Sequence, residues 1–311
     1  MLVITGTIAY DYIMDFPGKF AEHILPQQLH NINLSFIVNK FDKRRGGTAG
    51  NVSYTLGLLR TPNILFSSAG KDFIEYKKAF KKLKSVDISH VKIDLRNYTA
   101  TGFAMTDKTD NQIWGYFYGA AESIAKLSLE GVVESEDLVL IGPSGAAGSM
   151  HIVKQCIKNR VPFMFDPGFI LTQIDNEDLS FGVSYAHYVI GNDYEMNMLK
   201  ERVKDWENIS QEKIIITTLG EKGAEIRVGK KVYSIASVPP KNIIDPTGAG
   251  DAWRAGFLAG LNRNFDLQTC GQMGSVAASF AIEEYGTQEH RFSPQKFIQR
   301  YRQAFGSVIQ L

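Results

Sequence analysis

The run Asp245–Asp251 (DPTGAGD) joins small residues to a carboxylate near the C-terminal end of the chain. Small residues at 248–250 let backbone N–H groups point into one cavity, and the apolar pattern after them predicts that a helix begins there. Exposed amides at a helix N-terminus bind anions. A carboxylate at Asp251 would repel a bound phosphate unless a proton transfer needs it, as when an alcohol attacks a phosphoryl group. A turn with Asp251 as an ordinary helix N-cap explains the same run, so both interpretations stay open.

A second glycine-rich run, Arg45–Asn51 (RGGTAGN), precedes a helix that the apolar pattern predicts at about Val52–Leu59. Its paired glycines let a ligand approach the backbone closely, and the amide of Asn51 offers a donor and an acceptor to hydroxyl groups. Asp11 follows the first predicted strand, where a carboxylate can hold two sugar hydroxyls. Taken alone, each feature is explained better by a loop, a turn or a cap residue.

Two further patterns follow predicted strands. Asn192 and Glu195 come after the strand at 188–191 and share one helix face, so their oxygens suit a hydrated Mg²⁺ that accompanies ATP. The loop 217–223 is bounded by glycines and can cradle a nucleotide phosphate or ribose. The alternatives are a helix N-cap with an acidic first turn for the first pattern and a tight turn for the second.

The composition argues against several classes of protein. With 34 basic and 33 acidic residues, the net charge of +1 gives no electrostatic reason to expect nucleic acid or a membrane surface as a partner. No apolar stretch approaches the roughly 20 residues that span a bilayer, and the N-terminal run is typical of a buried strand rather than a signal peptide. The sequence lacks the P-loop pattern, and its six histidines show no metal-ligand spacing. Its two cysteines are expected to be buried thiols in a reducing compartment, so the cytoplasm is the expected location.

Short apolar runs alternate with helix-patterned segments, which favours an α/β domain spanning 1–311 with a mostly parallel sheet covered on both faces. The predicted strands are 137–142, 162–166, 188–191 and 213–218, followed by a hairpin at 225–228 and 232–235. The predicted helices are 151–159, 193–202, 250–261, 268–283 and 294–305.

Two segments, Asp15–Phe41 and Thr99–Tyr118, do not fit this rhythm because their apolar and polar residues alternate. Examples of the alternation are Leu34, Phe36 and Val38. Strands from both segments are expected to pair into a small discontinuous lid, formed by about 12–45 and 97–120, which excludes water during chemistry. An ordinary antiparallel edge of the main sheet is the alternative.

In this order and spacing, the motifs resemble the ribokinase-like (PfkB) sugar and nucleoside kinases over essentially the whole chain. The resemblance implies a three-layer α/β/α core with a mostly parallel sheet and a small β lid. The N-terminal half is similar to bacterial adenosine kinases, through the runs 6–11, 16–20, 34–36 and 46–51, and the run 286–289 fits as well.

The resemblance also implies a role for each motif. Asp251 is the implied base, and the amides that stabilise the transferring phosphoryl group belong to Gly248, Ala249 and Gly250. The implied ribose-binding residues are Asp11, Gly47 and Asn51. Mg²⁺ is organised, partly through water, by Asn192 and Glu195, and the ATP site is lined by Asn192, Thr218, Gly220 and Gly223. K⁺ activation, a secondary expectation, corresponds to Asp245, Thr247 and Gly286.

The expected reaction is ATP-dependent phosphorylation of the 5′-hydroxymethyl group of a nucleoside, with adenosine to AMP, a step of purine salvage, as the first choice. Two departures from the pattern of those kinases affect the recognition of the nucleobase. The aromatic lid residue that stacks on adenine in those kinases falls on Gly102, although Phe103 and Tyr116 are near enough to replace it. The glutamines that follow their Asp-Pro turn are absent after Asp166.

Other substrates and assemblies therefore stay open. A sugar kinase for ribose, fructose or a relative is the first alternative, and a ligand-binding paralogue without catalysis is a remote one, against which the intact Asp251 argues. An exposed lid strand that pairs with a second copy would give a homodimer.

Overall fold

The computed structural model describes residues 1–24, 33–109 and 111–311. The strands are β1 (Leu2–Thr5), β2 (Ala9–Asp15), β3 (Lys40–Gly46), β4 (Asn63–Gly70), β5 (Val86–Asp87), β6 (Val91–Asp94), β7 (Ala100–Thr106), β8 (Gln112–Phe117), β9 (Leu138–Ile141), β10 (Phe163–Phe165), β11 (Tyr188–Asn192), β12 (Ile214–Thr218), β13 (Ala224–Val228) and β14 (Lys231–Ile235). The helices are α1 (Thr48–Leu58), α2 (Ile74–Phe80), α3 (Ala146–Asn159), α4 (Asn176–Tyr185), α5 (Asp193–Arg202), α6 (Trp206–Ile209), α7 (Ala249–Leu261), α8 (Leu267–Ala281) and α9 (Pro294–Phe305).

The main sheet has the order β14-β13-β12-β11-β10-β9-β1-β4-β5, with β6 also paired to β4. It is parallel from β12 to β5, and β13 and β14 add an antiparallel hairpin at one edge. β1 is buried along its whole length, since helices cover both faces of the sheet. The predicted mostly parallel sheet is confirmed.

Two apolar cores lie on the two faces of the sheet. One packs against α1, α2, α7, α8 and α9, through side chains such as Leu56, Phe257 and Val276. The other packs against α3, α4, α5 and α6, through side chains such as Val153 and Leu199. The α/β/α layers follow from the strand composition, because a strand that is apolar on both sides must bury both sides.

A four-stranded small sheet has the order β3-β2-β7-β8. Its central pair, β2 and β7, is parallel, and β3 and β8 add antiparallel edges. β7 and β8 lie within the predicted alternating segment Thr99–Tyr118, whereas β2 and β3 flank the segment Asp15–Phe41 and share only its ends. The strand expected through Leu34, Phe36 and Val38 is wrong, and the part of that segment at 25–32 lies outside the described residues.

The alternation at 34–38 has another cause. The ring of Phe36 lies 4.8 Å from that of Phe16 and 5.4 Å from that of Phe20, so its partial burial comes from an aromatic cluster and not from a strand. Asp11 lies within β2 rather than in a turn after β1.

Two helices begin earlier than predicted. α1 starts at Thr48 instead of Val52, and α3 starts at Ala146 instead of His151. Each follows a glycine with positive φ, Gly47 at 86° and Gly145 at 76°, which turns the chain directly into the helix. As a result, Asn51 lies in the first turn of α1. Within the described residues, no helix has the length and apolarity that crossing a membrane requires.

Candidate functional site

The parallel strands bring several polar residues to one edge of the main sheet. Asp166 directly follows β10, Asn192 ends β11, and Thr218 ends β12. Thr218 and Asn192 are in register across the β11–β12 pair. In open α/β sheets, ligands gather at this edge, so the carboxyl ends of β10 to β12 define one candidate site.

Asn51 and Asp251 meet at this site although 200 residues separate them in the chain. Asn51 Nδ2 donates a 2.7 Å hydrogen bond to Asp251 Oδ2. Asn51 Oδ1 accepts hydrogen bonds from Thr287 Oγ1 at 2.8 Å and from Gln288 Nε2 at 2.9 Å. Because the oxygen is held by two donors, the NH₂ group of Asn51 is the part that faces Asp251.

The N-terminus of α7 carries Asp251 in its first turn. The N-cap is Gly248, at φ 81°, and no side chain caps the helix. Asp251 is therefore not a helix N-cap, which was the alternative interpretation of this run. Of the three amides expected in the anion site, that of Ala249 donates to the carbonyl of Pro246 at 3.2 Å. Burial raises the pKa of Asp251 to about 6, although Arg254 and the Asn51 hydrogen bond oppose this shift. A base with that pKa is ionised at neutral pH and can still accept a proton.

Asp11 lies between two glycines on one face of the small sheet. A Cβ added to Gly46 or to Gly102 would collide with its carboxylate. Burial raises the pKa of Asp11 to about 6. At Gly47, φ is positive and a Cβ would lie 2.5 Å from the carbonyl oxygen of Thr7, so only glycine fits where β3 turns into α1.

The small sheet directs its aromatic side chains to opposite faces. Tyr116 is opposite Gly102 in register, on the face that carries Asp11, and its ring lies 5.9 Å from that of Phe169. Phe103 is stacked on Tyr12 at 5.4 Å on the other face. The structure therefore does not bring Phe103 to Asp11, because successive strand residues point to opposite faces.

Sequence reasoning missed a second aromatic residue on this face. Trp114 Cζ3 lies 3.1 Å from the position of a Cβ on Gly102, so the indole covers the space that a side chain at 102 would fill. The alternation of the strand could have revealed it, since Trp114 and Tyr116 are two residues apart in β8 and therefore point to the same face.

Asn192 and Glu195 form a reciprocal capping box at the start of α5. Asn192 Oδ1 accepts from the backbone N–H of Glu195, and Glu195 Oε2 accepts from that of Asn192, each at 2.8 Å. Burial and the nearby Asp166 raise the pKa of Glu195. The cap interpretation is realised, and the carboxylates gathered here still fit a hydrated Mg²⁺, since each oxygen keeps a second lone pair.

A buried ion pair that sequence reasoning missed lies next to these carboxylates. Arg254 Nη2 donates to Asp166 Oδ1 at 2.8 Å, and Arg254 Nε donates to Asp166 Oδ2. The signal was available, because Arg254 is the charged residue within the buried run Ala252–Gly260 of α7.

A cavity of about 550 Å³ lies beside the N-terminus of α7. Two of the predicted nucleotide-loop residues, Gly220 and Gly223, line it together with Ala249. Most of its wall is apolar and was missed in the sequence: Val238, Pro239, Pro240, Ile243, Trp253, Ala278 and Ile282. The two prolines, which cannot continue a strand ladder, marked this segment as a loop.

The residues expected around K⁺ are brought together by Asp245. Its Oδ1 accepts from the backbone N–H of Thr247 at 2.9 Å, and its Oδ2 accepts from that of Gly286 at 3.0 Å. In 1–24, 33–109 and 111–311, no group of three or more His, Cys, Asp or Glu residues is arranged to hold a metal ion.

Known proteins were compared with the whole chain. The model of the pfkB family of carbohydrate kinases matches residues 10–294. The chain is 29% identical over 305 residues to the nucleoside kinase of Methanocaldococcus jannaschii, with 96% of each chain covered. Its fold is similar to that of Burkholderia thailandensis nucleoside kinase in complex with inosine, at 32% identity and a TM-score of 0.87 over 99% of each chain. The same enzyme in complex with ADP-inosine gives 33% identity and a TM-score of 0.85, covering 100% of this chain and 98% of the other.

These matches span the small sheet, the Asn51–Asp251 contact and the nucleotide loop alike. The chain belongs to the pfkB family of carbohydrate kinases and has the ribokinase-like α/β fold that its motifs predict.

Proposed function

We propose that the protein is an ATP-dependent nucleoside kinase that phosphorylates the 5′-hydroxymethyl group, with adenosine to AMP as the first candidate reaction. The observation that carries this proposal is the 2.7 Å hydrogen bond between Asn51 and Asp251. It joins an acceptor-binding helix to the helix N-terminus where a transferred phosphoryl group would lie.

In the proposed reaction, Asp251 takes the proton of the 5′-hydroxyl group. The hydroxyl oxygen forms a bond to the γ-phosphorus, the bond from this phosphorus to the β–γ bridging oxygen breaks, and ADP leaves. Asp11, Gly47 and Asn51 would hold the ribose hydroxyls. The pKa of Asp251, about 6, supports its role as base near neutral pH.

The nucleotide would bind in the cavity lined by Gly220, Gly223 and Ala249, with its phosphates at the N-terminus of α7. In this proposal the amides of Gly248 and Gly250 face the developing charge, and that of Ala249 would join them only after leaving the carbonyl of Pro246. Mg²⁺, held through the oxygens of Asn192 and Glu195 and through water, would neutralise charge on the phosphates.

The acceptor face supports a nucleoside rather than a free sugar. Trp114, Tyr116 and Phe169 lie on the side that carries Asp11, and aromatic rings of this kind stack on nucleobases. The two relatives described above are nucleoside kinases, and one was solved with inosine. Inosine therefore belongs beside adenosine in any test.

The test is a coupled ADP-release assay with adenosine, inosine, cytidine, ribose and fructose as acceptors. We expect turnover with nucleosides and a kcat/KM about 5- to 150-fold lower with free sugars, because a missing nucleobase removes a stacking contribution of about 1–3 kcal/mol. Equal or higher turnover with ribose or fructose would favour the sugar kinase instead. Binding of all acceptors without ADP release would favour the non-catalytic paralogue.

Four finer predictions accompany this function. K⁺ would act beside Asp245, Thr247 and Gly286, so replacing K⁺ by Na⁺ in the assay tests it. The small sheet would act as the lid of a single kinase domain. The exposed apolar face of this sheet, formed by Phe41, Phe103, Ile113 and Phe117, is the surface on which a homodimer would form, which sedimentation tests. The cytoplasm stays the expected location.

A further inference from the structure

The guanidinium group of Arg254 lies directly behind the N-terminus of α7. Side chains of an α-helix lean toward its N-terminus, so the side chain at 254 passes back along the first turn. Its Nη1 lies 2.9 Å from the position that a Cβ on Gly250 would take. The positive charge is therefore next to the amides that would receive the phosphoryl group.

Only part of this guanidinium is used by its ion pair. Nε and Nη2 are both bonded to Asp166, whose exposed fraction is 1%. Nη1 has no hydrogen-bond partner in 1–24, 33–109 and 111–311, and it is not among the side-chain atoms that are both unpartnered and sealed from solvent. By contrast, the unpartnered Nε atoms of Arg44 and Arg45 are sealed. Arg254 thus keeps one donor open toward the site.

A purely structural pair does not account for this arrangement. Burying two opposite charges costs desolvation energy that their attraction often fails to recover, and an apolar pair is commonly as stable. The pair also lies beside two further carboxylates, those of Asp251 and Glu195. One cation among three carboxylates leaves an excess of negative charge, which would repel ATP unless a donor such as Nη1 faces the phosphate.

We propose that Arg254 is a further catalytic residue, whose Nη1 donates a hydrogen bond to the phosphoryl group during its transfer. Asp166 is a positioning residue, since its two hydrogen bonds fix the plane of the guanidinium and aim Nη1 past Gly250. This proposal rests on the kinase activity proposed above. A fixed fork of this kind suits phosphate better than the mobile ammonium of lysine.

The test uses Arg254→Met, Arg254→Lys and Asp166→Asn. Arg263→Met is the matched control, because Arg263 follows the other end of α7 and bonds to Thr61 and to the carbonyl of Leu59. For Arg254→Met we expect kcat to fall about 100- to 1000-fold, as for loss of one transition-state donor. Nucleoside binding, measured by calorimetry, should change by less than about threefold, and guanidinium ion should restore part of kcat. Arg263→Met should keep kcat.

The variants separate three outcomes. If neither a nucleoside nor a sugar makes the wild type release ADP, the proposed function fails. If the wild type is active and Arg254→Met keeps kcat, only the role of Arg254 fails. If Arg254→Met does not fold, Arg254→Lys decides, since it keeps the positive charge but lacks Nη1. We expect its kcat to be at least about tenfold lower, the effect of one charge-assisted hydrogen bond, and a wild-type kcat would overturn the proposal.

The asparagine variant addresses positioning. Asp166→Asn should lower kcat less than Arg254→Met while leaving nucleoside binding unchanged. Equal losses of kcat and of nucleoside binding in Asp166→Asn would indicate a structural role and overturn the positioning of Arg254.

Discussion

The N-termini of α1 and α7 follow similar glycine-rich runs and differ in what occupies them. Both helices begin after a glycine with positive φ, Gly47 or Gly248, and neither has a side-chain cap. At α1, the carbonyl oxygen of Thr7 accepts from the N–H groups of Ala49 and Gly50 at 3.1 and 3.4 Å. These two donors of the helix are therefore already used by the protein itself.

At α7 the first turn is left open. In the described part of the chain, the N–H groups of Gly250 and Asp251 have no backbone acceptor, and Arg254 lies behind them. The first turn of α1 thus holds the neutral amide of Asn51 against Asp251, and the first turn of α7 leaves donors for the proposed anion. A glycine-rich run before a helix does not by itself make an anion site, because a neighbouring carbonyl can occupy it first.

The largest expected effect comes from removing the charge of Asp251 in the first turn of α7. Asp251→Asn removes the base, and we expect kcat to fall about 10³- to 10⁴-fold, near the upper end for one general base. The nucleoside dissociation constant should stay within about threefold, because Asn51 and Asp11 keep their positions. ADP release and calorimetry measure the two quantities. A rate near that of the wild type would remove Asp251 from the mechanism.

A smaller effect separates the two glycines. Gly47→Ala and Gly248→Ala each place a Cβ at positive φ, at a cost of about 1–3 kcal/mol of folding stability. Each also brings that Cβ into a close contact, 2.5 Å from the carbonyl oxygen of Thr7 or 2.8 Å from Cγ2 of Thr287, which adds to the cost. We expect Gly47→Ala to raise the nucleoside KM and Gly248→Ala to lower kcat, because the first displaces the acceptor helix and the second the anion site.

The control for both alanine variants is Gly306→Ala. Gly306 has φ 73° and nothing within 4 Å of an added Cβ, so this variant carries the backbone strain alone. Thermal midpoints and steady-state kinetics of all three variants check the expectation. The same change of KM and kcat at 47 and at 248 would mean that the two helix ends are not specialised.

The smallest expected effect concerns pH. Because Asp251 must be ionised to act and its pKa is about 6, kcat/KM should rise with pH through about 6 and level off above 7. Asn51→Ala removes a hydrogen bond that favours the ionised form, so the acid limb should move upward by roughly 0.5–1 pH unit, the effect of about 1 kcal/mol.

Asp11, whose pKa is also about 6, contributes to the acid limb of the wild type and of Asn51→Ala alike. The difference between the two pH profiles therefore isolates Asp251. Thr287→Val is the control, since it leaves the Asn51–Asp251 contact in place. An acid limb that stays fixed in Asn51→Ala would mean that Asn51 does not influence the base.

The sequence predicted the parts whose cause is local. The strands from 137 to 218, the hairpin and the helices α5 and α9 follow from apolar runs and cap residues. Helix starts after Gly47 and Gly145 were missed, because a positive φ is a backbone choice that composition does not reveal. The face of the small sheet to which Phe103 points could not be predicted, because it depends on the register of β7 with β2 and β8.

The candidate site shows the same limit. Its motifs were visible, but the Asn51–Asp251 contact and the Arg254–Asp166 pair join residues 200 and 88 positions apart. A lone arginine in an apolar helix indicates that a partner exists, and only the folded sheet shows which carboxylate it is. Most of the cavity beside α7 was missed for a related reason, since apolar loop residues carry no motif.

The junction between β3 and α1 has a consequence for the order of events. The small sheet passes through Gly46 and Gly47 directly into the helix that carries Asn51, so a rotation of this sheet would reach Asn51 within a few residues. The residues that line the cavity beside α7 all lie between 220 and 282, in other elements. With the small sheet as the proposed lid, exchange of the nucleotide would therefore not require this sheet to move, whereas entry and release of the acceptor would.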